Sequence, residues 1–437
     1  MTQHTPRAWL VGSIAALALP LALTGCSTAS GGNADGTVEI SFLVPVSGDG
    51  NTEAIDEFVA AFEAENDGIT VKLETQPAGT EGDNLTKTKL STGEMADVFL
   101  YNSGALLQAL NPDETLTDLT GEEWVDRLQD SFKTVVSGEN GLYGAPWGTT
   151  QSGAILYSKT IYEELGLEIP VSWDEFVANN EKIKAAGKVP VVQTYGDTFS
   201  SQLFVLGDAA NVLAVDPDWA EEFTAGNREF ADQPALAGFE HLEEGFEKGW
   251  WNEDFASAKL DEGMRRLALG EVAHYPMLTG AAPILEQNTP ENVDDVGLFA
   301  VPAADGDDTS LAVWMPNAVY IPKTTQGAEL EAAKKLVAFV NSPTGCELQN
   351  KGSLAGPYAI DGCELPDDVP QLIKDMEPYF ESGENAPALE FLSPIKGPNL
   401  ENILVEVGSG IRSAKDGAAL YDEDVIKQAQ QLGLSGW

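Results

Sequence analysis

Basic residues are scarce in this chain. Its 437 residues include 24 Lys and Arg against 70 Asp and Glu, which gives a formal net charge of −46 at neutral pH. Because a surface this acidic repels phosphate backbones, the composition excludes nucleic acid as a partner. The apolar share of 43% is ordinary for a globular protein, so the acidity indicates a solvated surface around a normal core. The length fits two domains.

Histidine and cysteine are also scarce, with three of each. His4, His241 and His274 are scattered, and no ligand spacing joins them to a cysteine, so the sequence predicts no metal site. The chain contains no GxxxxGK[ST] phosphate loop, no GxSxG nucleophile motif and no HExxH. A glycosidase carboxylate pair would need fixed geometry, and among 70 acidic residues close pairs arise by chance. We therefore expect no cofactor and no catalytic residue.

The amino-terminal residues have the pattern of a secretory signal. Arg7 precedes an apolar stretch over 8–23, which is short for a membrane span of about 20 residues. Leu23-Thr24-Gly25-Cys26 follows and resembles the bacterial lipobox, in which the cysteine becomes the lipidated amino terminus. An ordinary cleaved signal with an incidental cysteine is the alternative. We interpret 1–26 as the signal and 27–36, STASGGNADG, as a flexible tether outside the fold.

Two cysteines remain once Cys26 is assigned to lipidation. Cys346 and Cys363 lie in one loop-rich stretch of a chain that we expect to be exported to an oxidising compartment. A disulfide between them would close a loop that contributes about 3 kcal/mol. Two free buried thiols are the alternative.

Short strands alternate with helices along the rest of the chain. Strands are predicted where β-branched and apolar residues are concentrated, at 38–44, 69–74, 96–101, 189–193 and 318–322. Apolar residues at helical spacing predict helices over 52–65, 173–186, 234–248, 328–341, 399–412 and 418–432. This β-α-β alternation predicts a parallel sheet with helices on its faces.

Aromatic and uncharged polar residues follow several of these strands. Open α/β sheets bind ligands at such positions, and flat rings stack on sugar rings while amides and hydroxyls bond to sugar hydroxyls. For any single ring, packing in the core is an equally good interpretation. The candidate ligand-binding residues are Tyr101, Asn102, Trp147, Thr149, Gln151, Tyr195, Tyr275, Trp314 and Tyr358. We expect Trp147 to be a main stacking platform, with Trp314 and Tyr275 next.

One segment carries a recognisable set of motifs. Residues 141–187 contain Tyr143-Gly144-Ala145-Pro146, Tyr157-Ser158-Lys159 and Ser172-Trp173-Asp174-Glu175. They resemble the "YG-P" turn, the "YNK" strand end and the "TW-E" helix entry of the family 1 extracellular solute-binding proteins of ABC sugar importers. The stretches 269–273, 296–302 and 321–343 resemble later segments of that family, in the same order. Ala281-Ala282 stands where the family often has a tryptophan, which leaves the size and orientation of the ligand open.

The resemblance implies a periplasmic-binding-protein-like α/β fold with two lobes around a cleft at a hinge. It assigns 37–145 and 312–355 to the N-lobe and 146–311 and 356–437 to the C-lobe. It also implies a lipid-anchored monomer on the outer face of the cell membrane, which captures a sugar by cleft closure and delivers it to ABC transporter permease subunits. A receptor of the same fold for a polyol or a glycerophosphodiester is the first alternative, and an exported hydrolase the second.

Overall fold

The computed structural model describes residues 37–46, 52–78, 80–349 and 354–437. The predicted signal at 1–26, with Cys26, and the tether at 27–36 lie outside these described residues. Within them, strands and helices alternate from the first element onwards, as the hydrophobic periodicity predicts.

The strands form two sheets. They are β1 Val38–Val46, β2 Ile69–Pro77, β3 Val98–Tyr101, β4 Gly144–Trp147, β5 Gln151–Ser158, β6 Val189–Val191, β7 Val272–Leu278, β8 Val296–Phe299, β9 Leu311–Trp314, β10 Asn317–Tyr320 and β11 Asn385–Pro387. The first sheet has the order β2-β1-β3-β10-β4. The second has the order β11-β9-β5-β7-β6, with β8 also paired to β5.

The helices cover the faces of both sheets. They are α1 Glu53–Glu65, α2 Thr80–Thr92, α3 Ala105–Gln108, α4 Pro112–Thr115, α5 Asp130–Val136, α6 Lys159–Leu165, α7 Trp173–Ala185, α8 Leu203–Val215, α9 Trp219–Thr224, α10 Ala237–Glu247, α11 Leu260–Ala268, α12 Ala282–Asn288, α13 Gly327–Val340, α14 Pro343–Gln349, α15 Gln371–Lys374, α16 Glu377–Ser382, α17 Leu389–Leu392, α18 Leu400–Gly408 and α19 Ala414–Leu432.

Local sequence sets two of the helix starts. The hydroxyl of Ser172 accepts a hydrogen bond from the backbone N–H of Glu175 at 3.4 Å, which caps α7 where the motif predicts it. The last helix begins at Ala414, four residues before the predicted start. Ser413 causes the difference, because its hydroxyl accepts from the N–H of Asp416 at 3.1 Å and caps the helix there.

The prediction of a parallel sheet is right only for part of the molecule. β1 pairs in parallel with β2 and β3, and these three strands are joined through helices. β10 is antiparallel to both β3 and β4, and β5 is antiparallel to β7, β8 and β9. In the second sheet, β6 is parallel to β7 and β11 is parallel to β9. β4 and β10 are each joined by a short link to a strand of the other sheet, so no crossover helix sets their direction in the first sheet.

The chain passes between the two sheets at neighbouring points. β4 ends at Trp147 in the first sheet, and β5 begins at Gln151 in the second. β9 ends at Trp314 in the second sheet, and β10 begins at Asn317 in the first. Because Trp147 pairs with Asn317 and Gln151 pairs with Trp314, these two crossings run side by side.

A third crossing lies beside the first. The backbone N–H of Thr150 donates to the carbonyl of Pro357 at 2.9 Å. The chain then runs beside the first lobe, where Ile360 pairs with Leu128 and the N–H of Gln129 donates to the carbonyl of Ala359 at 3.0 Å. It reaches the second lobe at Asp375, whose carboxylate accepts from the N–H of Leu298 on β8 at 3.0 Å. We call the part built around the first sheet the first lobe, the part built around the second sheet the second lobe, and the segments 148–150, 315–316 and 355–357 the hinge. The predicted boundaries at 145, 311 and 355 fall at or a few residues before these segments.

The longest apolar helix belongs to the core. Thr198–Val215 is the one stretch of the described residues with the length and composition of a membrane span, and 56% of it is buried within the protein. Its main part, α8, packs between α10 and strands β5 and β9 of the second sheet. This packing accounts for its apolar composition.

Candidate functional site

The second lobe presents a tryptophan at the hinge. Trp314 ends β9 and is partly exposed, and its ring lies over Gly153 of the neighbouring strand β5. A Cβ at Gly153 would stand 2.6 Å from the ring, so only glycine lets the ring rest on the strand. Gln151, also partly exposed, extends its side-chain amide towards Gly280 after β7. We call Gln151, Trp314 and Gly280 the second-lobe patch. It offers a flat ring beside an uncharged amide.

The first lobe presents a small polar cavity at the carboxyl ends of its parallel strands. The cavity has a volume of about 110 Å³. Tyr101 and Asn102, two of the predicted ligand-binding residues at the end of β3, line it. We call it the first-lobe cavity, and its other lining residues are Pro45, Gln76, Pro77, Ala78, Gly82, Asp83, Leu100 and Asn317.

A glycine shapes one wall of this cavity. Gly82 lies in the first turn of α2, packed so closely on the carbonyl of Pro77 that a Cβ would overlap it. The close approach brings the first turn of α2, with Asp83, over the end of β2. Any larger residue at this position would push the helix away and open the cavity.

Two buried polar atoms of the first-lobe cavity have no hydrogen-bond partner in the part of the chain that the structure describes. The side chains of Gln76 and Tyr101 are 6% and 4% exposed. The amide nitrogen of Gln76 donates to Gly82 and Thr86, but its Oε1 accepts from no described residue. The hydroxyl of Tyr101 likewise makes no hydrogen bond of good geometry with a described residue. Such atoms are rare in folded proteins because each one forfeits the hydrogen bond it made with water.

Asp83 supplies the charge of this cavity. Burial, together with the nearby carboxylate of Asp83, raises the pKa of the Tyr101 hydroxyl, which therefore stays protonated at neutral pH. No Lys, Arg or His of the described residues lines the cavity. The site can thus accept hydrogen bonds at Asp83 and Gln76 and can donate one from Tyr101.

The first-lobe cavity and the second-lobe patch lie near each other along the second crossing. Asn317 lines the first-lobe cavity and Trp314 belongs to the second-lobe patch, and three residue steps of extended chain span at most about 11 Å. The hydroxyl of Ser103, which follows Asn102, donates to the carbonyl of Pro316 at 3.0 Å. This bond fixes the loop after β3 to the hinge.

Trp147 lies at the hinge, but its ring packs into the first lobe. Its centroid is 4.8 Å from that of Phe58 in an edge-on contact and 5.8 Å from that of Phe42. Phe58 belongs to α1 and Phe42 to β1, and both are buried. The tryptophan is only partly exposed, and the structure gives its ring a packing role between the sheet and α1.

Thr149 and Tyr358 hold the hinge together. They pair with each other as an isolated β-bridge between the first and third crossings. The hydroxyl of Thr149 accepts from the N–H of Ala355 at 3.3 Å, and the buried hydroxyl of Tyr358 donates to the carbonyl of Cys346 at 2.9 Å. Both side chains are thus engaged by the protein itself.

The remaining two candidates lie inside the second lobe. The ring of Tyr275 is fully buried on β7, and its hydroxyl is 2.5 Å from that of Thr194. The ring of Tyr195 is buried edge-on against Phe255. The structure therefore does not bring these two rings together with Trp314 or with the first-lobe cavity.

Sequence reasoning missed Gln76, Asp83 and Asn317. Gln76 ends β2, which runs three residues beyond the predicted strand, so the rule that selects residues after strands stopped short of it. Asp83 lies in α2, whose weak hydrophobic periodicity gave no signal for a helix. Asn317 begins β10, one residue before the predicted strand at 318–322. A longer reading of β2 would have found Gln76.

The carboxyl-terminal cysteines are joined at the hinge. Cys346 of α14 and Cys363 form a disulfide with their Cα atoms 5.7 Å apart. The loop that it closes contains the hinge segment 355–357, so the bond ties the start of the third crossing to the first lobe. Among the described residues, no group of His, Cys, Asp and Glu side chains is arranged to hold a metal ion.

Known proteins resemble this chain in sequence. Residues 48–345 match the family of the bacterial extracellular solute-binding proteins. A multiple sugar-binding protein of Streptococcus mutans is 32% identical over 138 residues, which cover 31% of this chain and only 32% of that relative. A melibiose/raffinose/stachyose-binding protein of Bacillus subtilis is 22% identical over 333 residues, 75% of this chain and 76% of that relative.

A solved structure shares the fold. It is a family 1 extracellular solute-binding protein from Bifidobacterium longum subsp. infantis, which superposes with a TM-score of 0.70 at 20% identity. The superposition covers 90% of this chain and 99% of that chain, so the two-lobed architecture is common to both. The chain therefore belongs to the bacterial extracellular solute-binding proteins, which act outside the cytoplasm as binding proteins and not as enzymes.

Proposed function

We propose that this protein captures a neutral sugar or oligosaccharide between its lobes and delivers it to the permease of an ABC importer. The observation that carries the proposal is the placement of the first-lobe cavity and the second-lobe patch on either side of one hinge crossing. The ring of Trp314 suits the apolar face of a sugar ring. The amides of Gln151 and Asn102 suit its hydroxyls.

The sugar-binding relatives support this choice of ligand. One carries the name of a multiple sugar-binding protein, and another is named for melibiose, raffinose and stachyose. Those three sugars are the first to test. Because no Lys, Arg or His of the described residues lines the first-lobe cavity, a phosphate-bearing solute such as a glycerophosphodiester is disfavoured.

Capture proceeds by a shift between open and closed arrangements of the lobes. A sugar held by both lobes makes contacts in the closed arrangement that it cannot make in the open one, so it favours closure in proportion to that difference. The hinge permits the motion because its three segments are short and lie side by side. The closed shape is what the permease recognises, and no bond of the sugar is broken.

Lipidation at Cys26 would hold the protein at its transporter. The lipobox-like Leu23-Thr24-Gly25-Cys26 and the tether behind it support an anchor on the outer face of the membrane. Replacing Cys26 with Ala should release the protein into the medium or leave it unprocessed. A Cys26→Ala protein that remains membrane-bound and is cleaved at the same place would contradict the anchor.

A thermal-shift screen followed by calorimetry tests the ligand. The panel is melibiose, raffinose, stachyose and their component monosaccharides, with glycerol and a glycerophosphodiester as the alternatives. A bound sugar at about 100 times its Kd stabilises the fold by about 2.7 kcal/mol. Trp437→Ala is a matched control for Trp314→Ala, because Trp437 packs on α9 with its indole N–H bonded to Thr224. We expect only Trp314→Ala to weaken binding.

Two outcomes would contradict the proposal. Stabilisation by the polyol or the glycerophosphodiester alone would show a receptor for another solute. Recovery of cleaved rather than intact sugar after prolonged incubation would show a hydrolase.

A further inference from the structure

We propose that the first-lobe cavity is an end subsite that selects the charge of the ligand. It accepts the end of a sugar that carries hydroxyl or ammonium donors, and it rejects one that carries a carboxylate or a phosphate. This inference rests on the proposed function and adds to it a class of accepted ligand and the residues that decide it, Gln76, Asp83 and Tyr101.

The unpartnered acceptor of Gln76 points to a ligand with donors. The amide is held in place by its own nitrogen, which donates to the hydroxyl of Thr86 at 2.8 Å and to the carbonyl of Gly82 at 3.2 Å. Its Oε1 is therefore fixed, buried and free of any described donor. A sugar hydroxyl supplies the missing donor, whereas a carboxylate or phosphate oxygen would face it as a second acceptor.

Tyr101 adds a second unsatisfied group in the same cavity. Its hydroxyl is buried beside Asp83 without the geometry of a hydrogen bond to it. A hydroxyl can both donate and accept, so it suits a sugar hydroxyl bound between itself and a neighbouring acceptor. Burying the Oε1 of Gln76 and the hydroxyl of Tyr101 without a partner among the described residues is unfavourable, and a bound sugar end relieves it.

Asp83 decides the sign of the charge. Its side chain is partly exposed, lines the cavity and forms no ion pair with a described residue. A carboxylate accepts hydrogen bonds from two neighbouring hydroxyls, and it attracts an ammonium group. An anionic ligand meets repulsion instead, with no cation among the described lining residues to offset it.

The position of the cavity sets the direction of the ligand. Its volume of about 110 Å³ holds the end of one ring rather than a whole oligosaccharide. Asn317 lies at its edge, and from there the chain leads back to Trp314 in the second-lobe patch. The end of the sugar thus enters the first lobe, and the next part of it rests on Trp314.

Calorimetry on Tyr101→Phe and Asp83→Asn tests the hydrogen bonds, with the best neutral sugar of the screen as the probe. We expect affinity to fall about threefold to tenfold in Tyr101→Phe and about tenfold or more in Asp83→Asn. The melting temperature of ligand-free Tyr101→Phe should be unchanged or higher, since the variant removes an unpartnered hydroxyl. Tyr379→Phe is the matched control, because its hydroxyl accepts from the N–H of Ala300 at 3.0 Å. It should lower the melting temperature and leave affinity unchanged.

Charged monosaccharides test the selection. Glucosamine and galactosamine are compared with glucuronate and galacturonate for their ability to displace the same neutral sugar. We expect the wild type to prefer the amino sugars over the acids, and we expect Asp83→Asn to reduce that preference at least tenfold.

Three results would count against the inference. Displacement by the acids that equals displacement by the amino sugars in the wild type would overturn it. So would unchanged affinity for the neutral sugar in both variants, and in either case the proposed function would stand. A wild type that binds no sugar of the panel would contradict the proposed function, and this inference with it.

Discussion

The two lobes each place one tryptophan where the chain crosses between the sheets, and the two rings lie in different surroundings. Trp147 ends β4 and packs edge-on against Phe58 of α1, whereas Trp314 ends β9 and lies over Gly153. Both are partly exposed. The residue that faces each ring therefore decides how the ring packs. Phe58 packs against Trp147 in the core, whereas Gly153 leaves room for Trp314 on the strand. Residue type and topological position do not distinguish them.

The difference extends to the rest of each lobe's contribution. The first lobe offers a small cavity in which the Oε1 of Gln76 and the hydroxyl of Tyr101 have no hydrogen-bond partner among the described residues. The second lobe offers a ring and the amide of Gln151 at a more open edge. We infer that the first lobe selects the polar groups of the ligand, whereas the second lobe supplies contact area for it.

Replacing Trp147 with Ala should produce the largest change in stability. The variant loses the contacts with Phe42 and Phe58, which we expect to lower the free energy of unfolding by about 3 kcal/mol, near the lower end of the range for large aromatic truncations. Denaturant unfolding measures this loss. If Trp147 instead stacks on the sugar, as the sequence predicts, calorimetry will show affinity falling with little change in stability.

Removing the disulfide should come next in size. The double variant Cys346→Ala and Cys363→Ala frees the loop that holds the third crossing, and we expect a loss of about 2–3 kcal/mol in the free energy of unfolding. Non-reducing peptide mapping of the native protein should find the two cysteines linked. Free alkylation of both thiols in native protein would contradict the bond.

Replacing Trp314 with Ala should alter binding rather than stability. Loss of one stacked ring is expected to cost about 1–3 kcal/mol of binding, taking base stacking as an analogue, or about fivefold to 150-fold in Kd. The loss should be similar for every neutral sugar that binds, because the ring contributes area and not selection. Gly153→Ala should weaken the same sugars, since its Cβ would displace the ring. Unchanged calorimetric titrations in both variants would contradict the division between the lobes.

Much of the fold follows from the sequence, because buried strands and amphipathic helices leave periodic patterns. The predicted helix over 52–65 is observed as α1, and the strand over 38–44 as β1. The direction of β4 and β10 could not be predicted, since it depends on which sheet a short link enters, and the pattern of a single strand does not record its partner. The motif at Ser172 succeeded because capping is a local interaction.

The candidate site was less predictable than the fold, because it depends on which residues tertiary packing brings together. Tyr101 and Asn102 are predicted because the end of a strand is visible in the sequence, and both line the first-lobe cavity. Tyr195 and Tyr275 have the same sequence context but are buried in the second lobe, which only tertiary packing decides. Gln76 is a candidate because its Oε1 has no hydrogen-bond donor among the described residues, and no sequence pattern reports that.

The pH dependence of stability should also differ between the lobes, and this is the smallest effect that we predict. The described carboxyl groups whose pKa is raised, Asp208, Asp375 and Asp422, all belong to the second lobe. Burial on α8 raises the pKa of Asp208 to about 7, against hydrogen bonds from Asn211 and from the backbone of Gly238. The native state therefore holds this proton more tightly than the unfolded state. The stability that it contributes is present below about pH 4 and is lost as the pH rises to 7.

The Asp208→Asn substitution should remove this pH-dependent loss of stability, because the amide oxygen of the new side chain can still accept the hydrogen bonds from Asn211 and Gly238. We expect the variant to be on the order of 1 kcal/mol more stable than the wild type at pH 8 and no more stable at pH 4, measured by denaturant unfolding at both values.

Asp113→Asn in the first lobe is the control of opposite sign. The hydroxyl of Tyr143, which donates to Asp113 at 2.6 Å, lowers the pKa of that carboxyl. Its contribution is therefore present at pH 8 and declines as the pH falls through the native pKa, so the substitution should be unfavourable at pH 8. An Asp208→Asn protein that gains no stability at pH 8 relative to pH 4 would show that the second lobe holds Asp208 ionised, with its charge satisfied by Asn211 and Gly238.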